Sequence, residues 1–474
     1  MAEGQCRRQS RSQFVGSPKE AFESIIRLGR LILMWVLGGV TVALSGCTHL
    51  AGGAHIERSL PASADTFSGL LPSKSDGELA QGLHYIFVIH GMGATSRNYA
   101  QPLLDAIVNQ GFVSSSEGSF VQVGLPRPVH VTGEAFECAA GTTSPPCTFT
   151  TFGQYRVDRF VHQQHADVKV VVVTYFWDEA MAELQDPFLR VDRQTGAGAA
   201  INTALKHNLI DDGFGDATAY LGAAGDLARL GISGALCVML RDASDPIQTP
   251  TDGISNCQLE GLTTQQIFPS ARVDYAFLSF SLGSRMLYDV LSGMKNEAAH
   301  SEAALESALA RFATRTRNFF MAANQMPLLG VGRVTITEMG SGSRQPTFST
   351  DSFLPSCPGG FFSFAGCLRS RSDRRPLTSV LLDAKAGALT EGLQVIAFHD
   401  PADLLGFRAS AGIQNPGSTE FIEVSHRNTP VILGLLAWPP AAHATELVHA
   451  DSRMLILCGG QANHQHVLKA KQCL

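Results

Sequence analysis

Charge is scarce in this chain: Asp, Glu, Lys and Arg make up only 16% of its 474 residues, and the formal balance is −6. A basic footprint of the kind that phosphate backbones attract is missing, so no nucleic-acid partner is expected. The 46 Gly and 22 Pro follow no collagen-like period, low-complexity tract or solenoid-length repeat, which removes fibrous and repeat architectures. No C-x2-C spacing occurs, and the His162-x-x-His165 pair has no third ligand nearby in the sequence, so neither a metal nor a cofactor is expected. What is present is 45% hydrophobic residues, enough over this length to bury a large core and to exclude disorder as the main state.

Residues 1–47 read as an export segment. Arg7, Arg8, Arg11, Lys19, Arg27 and Arg30 stand against Glu3, Glu20 and Glu23, and an uncharged apolar run then extends from Leu31 to Leu44. That run is shorter than the roughly 20 residues a spanning helix needs. It ends in Leu44-Ser45-Gly46-Cys47, which resembles the lipobox of bacterial lipoproteins. The resemblance implies a diacylglyceryl thioether on Cys47 and a body anchored outside the cytoplasm. Thr48, in place of the Asp that favours inner-membrane retention, points to the outer membrane. An ordinary signal peptide with an unmodified Cys47 is the alternative.

Cysteine spacing argues for export independently. Apart from Cys6 and Cys47, the remaining cysteines fall as Cys138/Cys147, Cys237/Cys257, Cys357/Cys367 and Cys458/Cys473, each pair bracketing a short segment. Joining sequence neighbours closes four small loops, and such bonds persist only in an oxidising compartment.

From 48 to 80 the chain is rich in Gly, Ser, Pro and Ala, which suits a flexible tether, so residues 81–474 should carry the folded body. Apolar runs at Tyr85–Ile89, Val168–Thr174, Val273–Phe280, Asn318–Ala322 and Leu393–Phe398 predict buried strands. Helical spacing over Asn98–Asn109 and Ser284–Leu291 places helices between them, which argues an α/β fold with a mostly parallel central sheet. Residues 111–165 and 338–375 read as stapled surface insertions. The Ala-, Gly- and Leu-rich stretch 196–240, broken at Asp211-Asp212-Gly213-Phe214-Gly215, reads as a helical cap insertion.

Ser279-Phe280-Ser281-Leu282-Gly283 follows a predicted strand and precedes a predicted helix, the setting of a nucleophile elbow. A Ser at the tip of so sharp a turn points its hydroxyl away from the sheet, and small residues on either side let neighbouring backbones approach. His90-Gly91-Met92-Gly93, at the end of the first core strand, can aim backbone N–H groups at a developing oxyanion, with the amides of Met92 and Leu282 as candidate donors. Downstream, Asp400-Pro401-Ala402-Asp403 supplies the acid, Asp403 preferred and Asp400 the alternative. His426, His443 and His449 are the candidate bases, and His443 lies among small residues ahead of the helical stretch Glu446–Leu457. Asn324-Gln325 either lines the pocket or forms a turn.

Taken in order, these motifs, with Thr174-Tyr175-Phe176-Trp177 between them, resemble the α/β-hydrolase superfamily, its esterase- and lipase-like members in particular, over about residues 83–457. The resemblance implies an eight-stranded, mostly parallel sheet and a triad of Ser281, Asp403 and His443. Ser279 departs from the usual first Gly. The implied activity is hydrolysis of a small-molecule or lipid carboxylic ester through an acyl-enzyme. Acyl transfer with the same residues, or a non-catalytic lipid-anchored binding protein, are the alternatives.

If Cys47 is lipidated, Cys47→Ser should abolish incorporation of a labelled fatty acid and release the protein from the membrane fraction. A processed, still membrane-bound Cys47→Ser protein would contradict the lipobox reading.

Overall fold

The structure, a computed structural model, describes residues 53–60, 65–73, 82–93, 95–131, 147–194, 206, 213–222, 224–242, 253–255, 273–298, 312, 315–325, 329, 335–336, 346–347, 393–401, 403, 406, 420–426, 449–463 and 466–473. In chain order the first strands are β1 (His55–Leu60), β2 (Thr66–Ser68), β3 (Gly82–Ile89), β4 (Phe112–Ser116), β5 (Val121–Val131), β6 (Cys147–His162), β7 (Val168–Phe176) and β8 (Ile254–Ser255). They are followed by β9 (Val273–Phe280), β10 (Thr316–Ala322), β11 (Thr335–Ile336), β12 (Pro346–Thr347), β13 (Gln394–His399), β14 (Glu420–Ser425), β15 (Gly459–Ala462) and β16 (Leu468–Ala470). The helices are α1 (Gln101–Asn109), α2 (Asp178–Gln194), α3 (Gly215–Leu221), α4 (Ala224–Asp242), α5 (Leu282–Ala298) and α6 (Ala450–Cys458).

The main sheet has eleven strands in the order β1-β14-β13-β10-β9-β3-β7-β6-β5-β8, with β4 also on β6. It corrects the expected mostly parallel, eight-stranded sheet of the α/β-hydrolase type. Strands β7, β3, β9, β10, β13 and β14 run parallel to one another, but β1 joins β14, and β6 joins β7, β5 and β4, antiparallel. Over all described sheets, antiparallel pairings outnumber parallel ones seven to six.

Three segments account for the difference. The described part of 111–165, a stretch expected as a surface excursion, contains β4, β5 and β6. Phe149, Phe152, Tyr155 and Phe160 of β6 are buried, and so are Arg156 and Asp158, which form an ion pair at 2.7 Å, so this strand carries polar groups into the fold beside its aromatic ones. Residues 55–60, expected in the tether, pair with β14 as β1, and residues 66–68 pair with β15 as β2. The stretch expected as a cap contains α4, a core helix. Leu227, Ile232, Leu236, Val238 and Leu240 are all buried, and the absence of a side chain at Gly231 lets the helix lie on the Tyr175 hydroxyl and the Phe152 carbonyl. Among the described residues no single helix is long and apolar enough to cross a membrane.

Alternation along the central strands feeds two cores. Tyr85, Phe87 and Ile89 of β3 face α2, α3, α4 and α5, whereas Ile86 and Val88 face α1 and α6. A sheet covered on both faces explains the unbroken Val run of β7.

Of the expected disulfides, Cys458–Cys473 is formed, with a sequence separation of 15, and Cys237 is disulfide-bonded. Cys147 opens β6. Cys47, Cys138, Cys257, Cys357 and Cys367 lie outside the described residues. Cys458 ends α6, and its bond holds the C-terminal strands against that helix. Replacing both cysteines by Ser should cost about 3 kcal/mol in denaturant unfolding, the entropy of closing a loop of this size. An unchanged midpoint would contradict that role.

Candidate active site

Because β3, β9, β10, β13 and β14 are parallel, the residues that follow them meet along one edge of the sheet. Ser281 follows β9 directly and opens α5. Its φ is 50°, in the left-handed region that a residue with a Cβ rarely occupies. The Ser281 amide donates to the Ala322 carbonyl at 2.8 Å, and the Ser284 amide donates to the Ser281 carbonyl at 3.1 Å, which makes the turn tight. Ser279, where the motif usually has Gly, is accommodated because its hydroxyl lies 3.0 Å from Ser284 Oγ and 3.1 Å from the Phe320 carbonyl. The turn after β3 presses on this elbow from the side. A Cβ at Gly91 would stand 2.5 Å from Ser281 Cβ, and one at Gly283 would stand 2.2 Å from the His90 carbonyl oxygen.

His90 holds that turn. The Trp177 amide donates to His90 Nε2 at 3.1 Å, the Trp177 indole N–H donates to the His90 carbonyl at 3.1 Å, and the two rings stack with centroids 4.9 Å apart. His90 Nδ1 lies 2.8 Å from the Gly91 carbonyl and 2.9 Å from Thr95 Oγ1, and its Nε2 also lies 3.5 Å from Asp178 Oδ1. Both nitrogens are thus committed to the scaffold, and His90 is a positioning residue. Carboxylates fix the rest of the turn: the Gly93 amide donates to Asp216 at 2.7 Å and the Thr95 amide to Asp178 at 3.0 Å. Asp216 also accepts from Gln185 at 2.7 Å. Met92, between these anchors, and Leu282, the residue after Ser281, therefore border the elbow from two sides. A cleft of about 110 Å³ lined by Thr95, Arg97, Gln154, Phe176, Asp178 and Glu179 opens beside the anchored turn.

The acid end lies two strands away. The Ala323 amide donates to the Phe398 carbonyl and the His426 amide to the His399 carbonyl, both at 3.0 Å, so the ladder continues past the strand ends. Ala323 also has φ of 50°. Asp400 and Asp403 are both buried, joined in one turn by the Asp403 amide donating to the Asp400 carbonyl at 2.9 Å. Strand spacing places this turn about 10 Å from the elbow, a gap an imidazole must bridge. His443 lies outside the described residues. His426 Nδ1 lies 2.8 Å from Ser452 Oγ, and its ring meets that of His449, the N-cap of α6, at 4.7 Å. Burial holds His399 below the ordinary imidazole value against the opposing pull of Glu423 and Asp400, and its Nε2 lies 2.8 Å from Glu57 of β1. Asn324 and Gln325 are buried at the same edge. His162 Nδ1 accepts the amides of Gln164 and His165, each at 3.2 Å, so that histidine pair shapes a turn.

The sequence motifs named Ser281, Gly91, Gly283 and the two Asp. They did not reveal the bonds of His90 to Trp177, nor Asp178 and Asp216 as anchors, because those partners lie 83 to 123 positions away from the groups they bind. Comparison with protein-family models, with curated proteins and with solved structures finds no match.

The closest backbone approach in the elbow predicts that Gly283→Ala lowers stability by about 1–3 kcal/mol, since the His90 carbonyl cannot swing aside as a flexible side chain could. Gly53→Ala, where nothing lies within 4 Å, should leave denaturant unfolding unchanged. Equal stability of the two variants would contradict the packing of the β3 turn on the elbow.

Proposed function

We propose that the protein is a serine hydrolase that cleaves a carboxylic ester, with Ser281 as nucleophile. The observation that carries this reading is the left-handed Ser281, placed between a buried strand and a helix and touched by Gly91 of a turn bonded into position. Backbone strain of this kind is kept where function uses it.

In the proposed reaction His443 takes the hydroxyl proton as Ser281 Oγ attacks the ester carbonyl. Asp403 holds the imidazole in the productive tautomer and balances the imidazolium. The tetrahedral oxyanion is met by the amides of Met92 and Leu282, and His443 returns the proton to the departing alcohol. Water, activated by the same histidine, then releases the acid and restores Ser281. His443 is preferred because it lies among small residues in the chain ahead of α6, whereas His426 Nδ1 is already engaged with Ser452 Oγ. In the same proposal Cys47 carries a lipid that keeps the enzyme at the outer membrane, beside small-molecule or lipid esters.

Ser281→Ala should lose fluorophosphonate labelling and drop ester turnover by 10⁴-fold or more, on the order seen when a triad nucleophile is removed. Asp403→Asn should lower kcat by about 10³- to 10⁴-fold and Asp400→Asn by far less. Retained labelling of Ser281→Ala would overturn the nucleophile, and the reverse ranking of the two Asp variants would move the orienting role to Asp400.

A further inference from the structure

We propose that His426, His449 and Asp451 form a binding site for a divalent transition-metal ion, Zn²⁺ foremost. The three residues converge from two elements. His426 leaves the end of β14, 4% exposed and bonded through its amide to His399, whereas His449 and Asp451 sit at the start of α6. One ligand atom from each lies within 4.8 Å of the others.

His449 Nδ1 is buried and has no hydrogen-bond partner among the described residues, an arrangement that costs free energy unless something else satisfies the nitrogen. The His426 ring is oriented by Ser452 Oγ at 2.8 Å from Nδ1. When Nδ1 donates to that hydroxyl, the lone pair is on Nε2, the pattern of a metal-bound histidine with an outer hydrogen-bond partner.

The donor set selects the class of ion. Two imidazoles and one carboxylate suit Zn²⁺ and its neighbours, whereas Ca²⁺ and Mg²⁺ require oxygen ligands. Tetrahedral coordination at Zn–N distances near 2 Å sets ligand atoms about 3.3 Å apart, so closure takes a contraction of about 1.5 Å. Asp451 is exposed and His449 partly so, and both can move toward the rigid His426. Three protein ligands leave a fourth position for water. Such an ion would join the end of β14 to the start of α6, the two elements that flank His443 in the chain.

The test uses the full-length, chelator-treated protein and Zn²⁺ alone, so its result does not depend on ester turnover. Calorimetry and native mass spectrometry should show one equivalent bound, with a rise of about 3 °C in the unfolding midpoint at saturating metal. Asp451→Asn and His449→Gln should lose that equivalent and the midpoint shift, while His162→Ala and His443→Ala keep both. Native mass spectrometry decides the stoichiometry even if a variant is less stable. Undiminished binding in Asp451→Asn and His449→Gln, or no stoichiometric binding by the unaltered protein, would overturn the proposal.

Discussion

A residue with a side chain holds φ of 50° only when its surroundings leave it no better choice, and at Ser281 the constraint is a hydrogen bond between strand ends. The 2.8 Å bond from the Ser281 amide to Ala322 ties the elbow to β10, whose next residue, Ala323, takes the same left-handed turn and bonds to Phe398 of β13. The ladder is thus carried beyond the regular strands and ends at His399 and His426. Strain of about 1–3 kcal/mol at each turn is offset by these bonds and by the packing of Gly91 and Gly283.

A buried polar framework keeps the flanking turn in place. Asp216 and Tyr220 are four residues apart on α3, hence on one face of that short helix. Asp216 accepts the Gly93 amide, and the Tyr220 hydroxyl donates to Asp289 of α5 at 2.6 Å. Arg285 completes the contact with Asp289 at 2.9 Å. One helix therefore braces both the β3 turn and the helix that begins after Ser281. Removing Arg285 would take away the cation paired with the fully buried Asp289, which is costly.

Much of this was legible in the sequence wherever one face of the chemistry was local. Unbroken apolar runs located β3, β7, β9, β10 and β13, since strands buried on both sides need no alternation. Ser-x-Ser-x-Gly between a strand and a helix located the elbow, and its Ser279 departure proved compatible with the turn because the hydroxyl finds Ser284 and Phe320. The β6 region escaped because its buried residues follow no strict two-residue alternation: Phe149, Phe152 and Tyr155 are three apart where the ladder with β5 is irregular, and Arg156 and Asp158 are buried beside them. α4 escaped because an apolar helix reads alike whether it covers a pocket or fills a core. The partnership of His90 with Trp177 is long-range and leaves no local pattern. Asp400 and Asp403, alike in sequence setting, are alike in burial, so chemistry must rank them.

If Ser281 is the nucleophile, its reacted hydroxyl must sit opposite the Met92 and Leu282 amides. A crystal structure of the protein inactivated with a small fluorophosphonate decides this. Phosphorus should be bonded to Ser281 Oγ, with the phosphoryl oxygen within about 3 Å of the Met92 and Leu282 amides, the reach of oxyanion donors. An adduct on another residue, or a phosphoryl oxygen turned away from both amides, would contradict it.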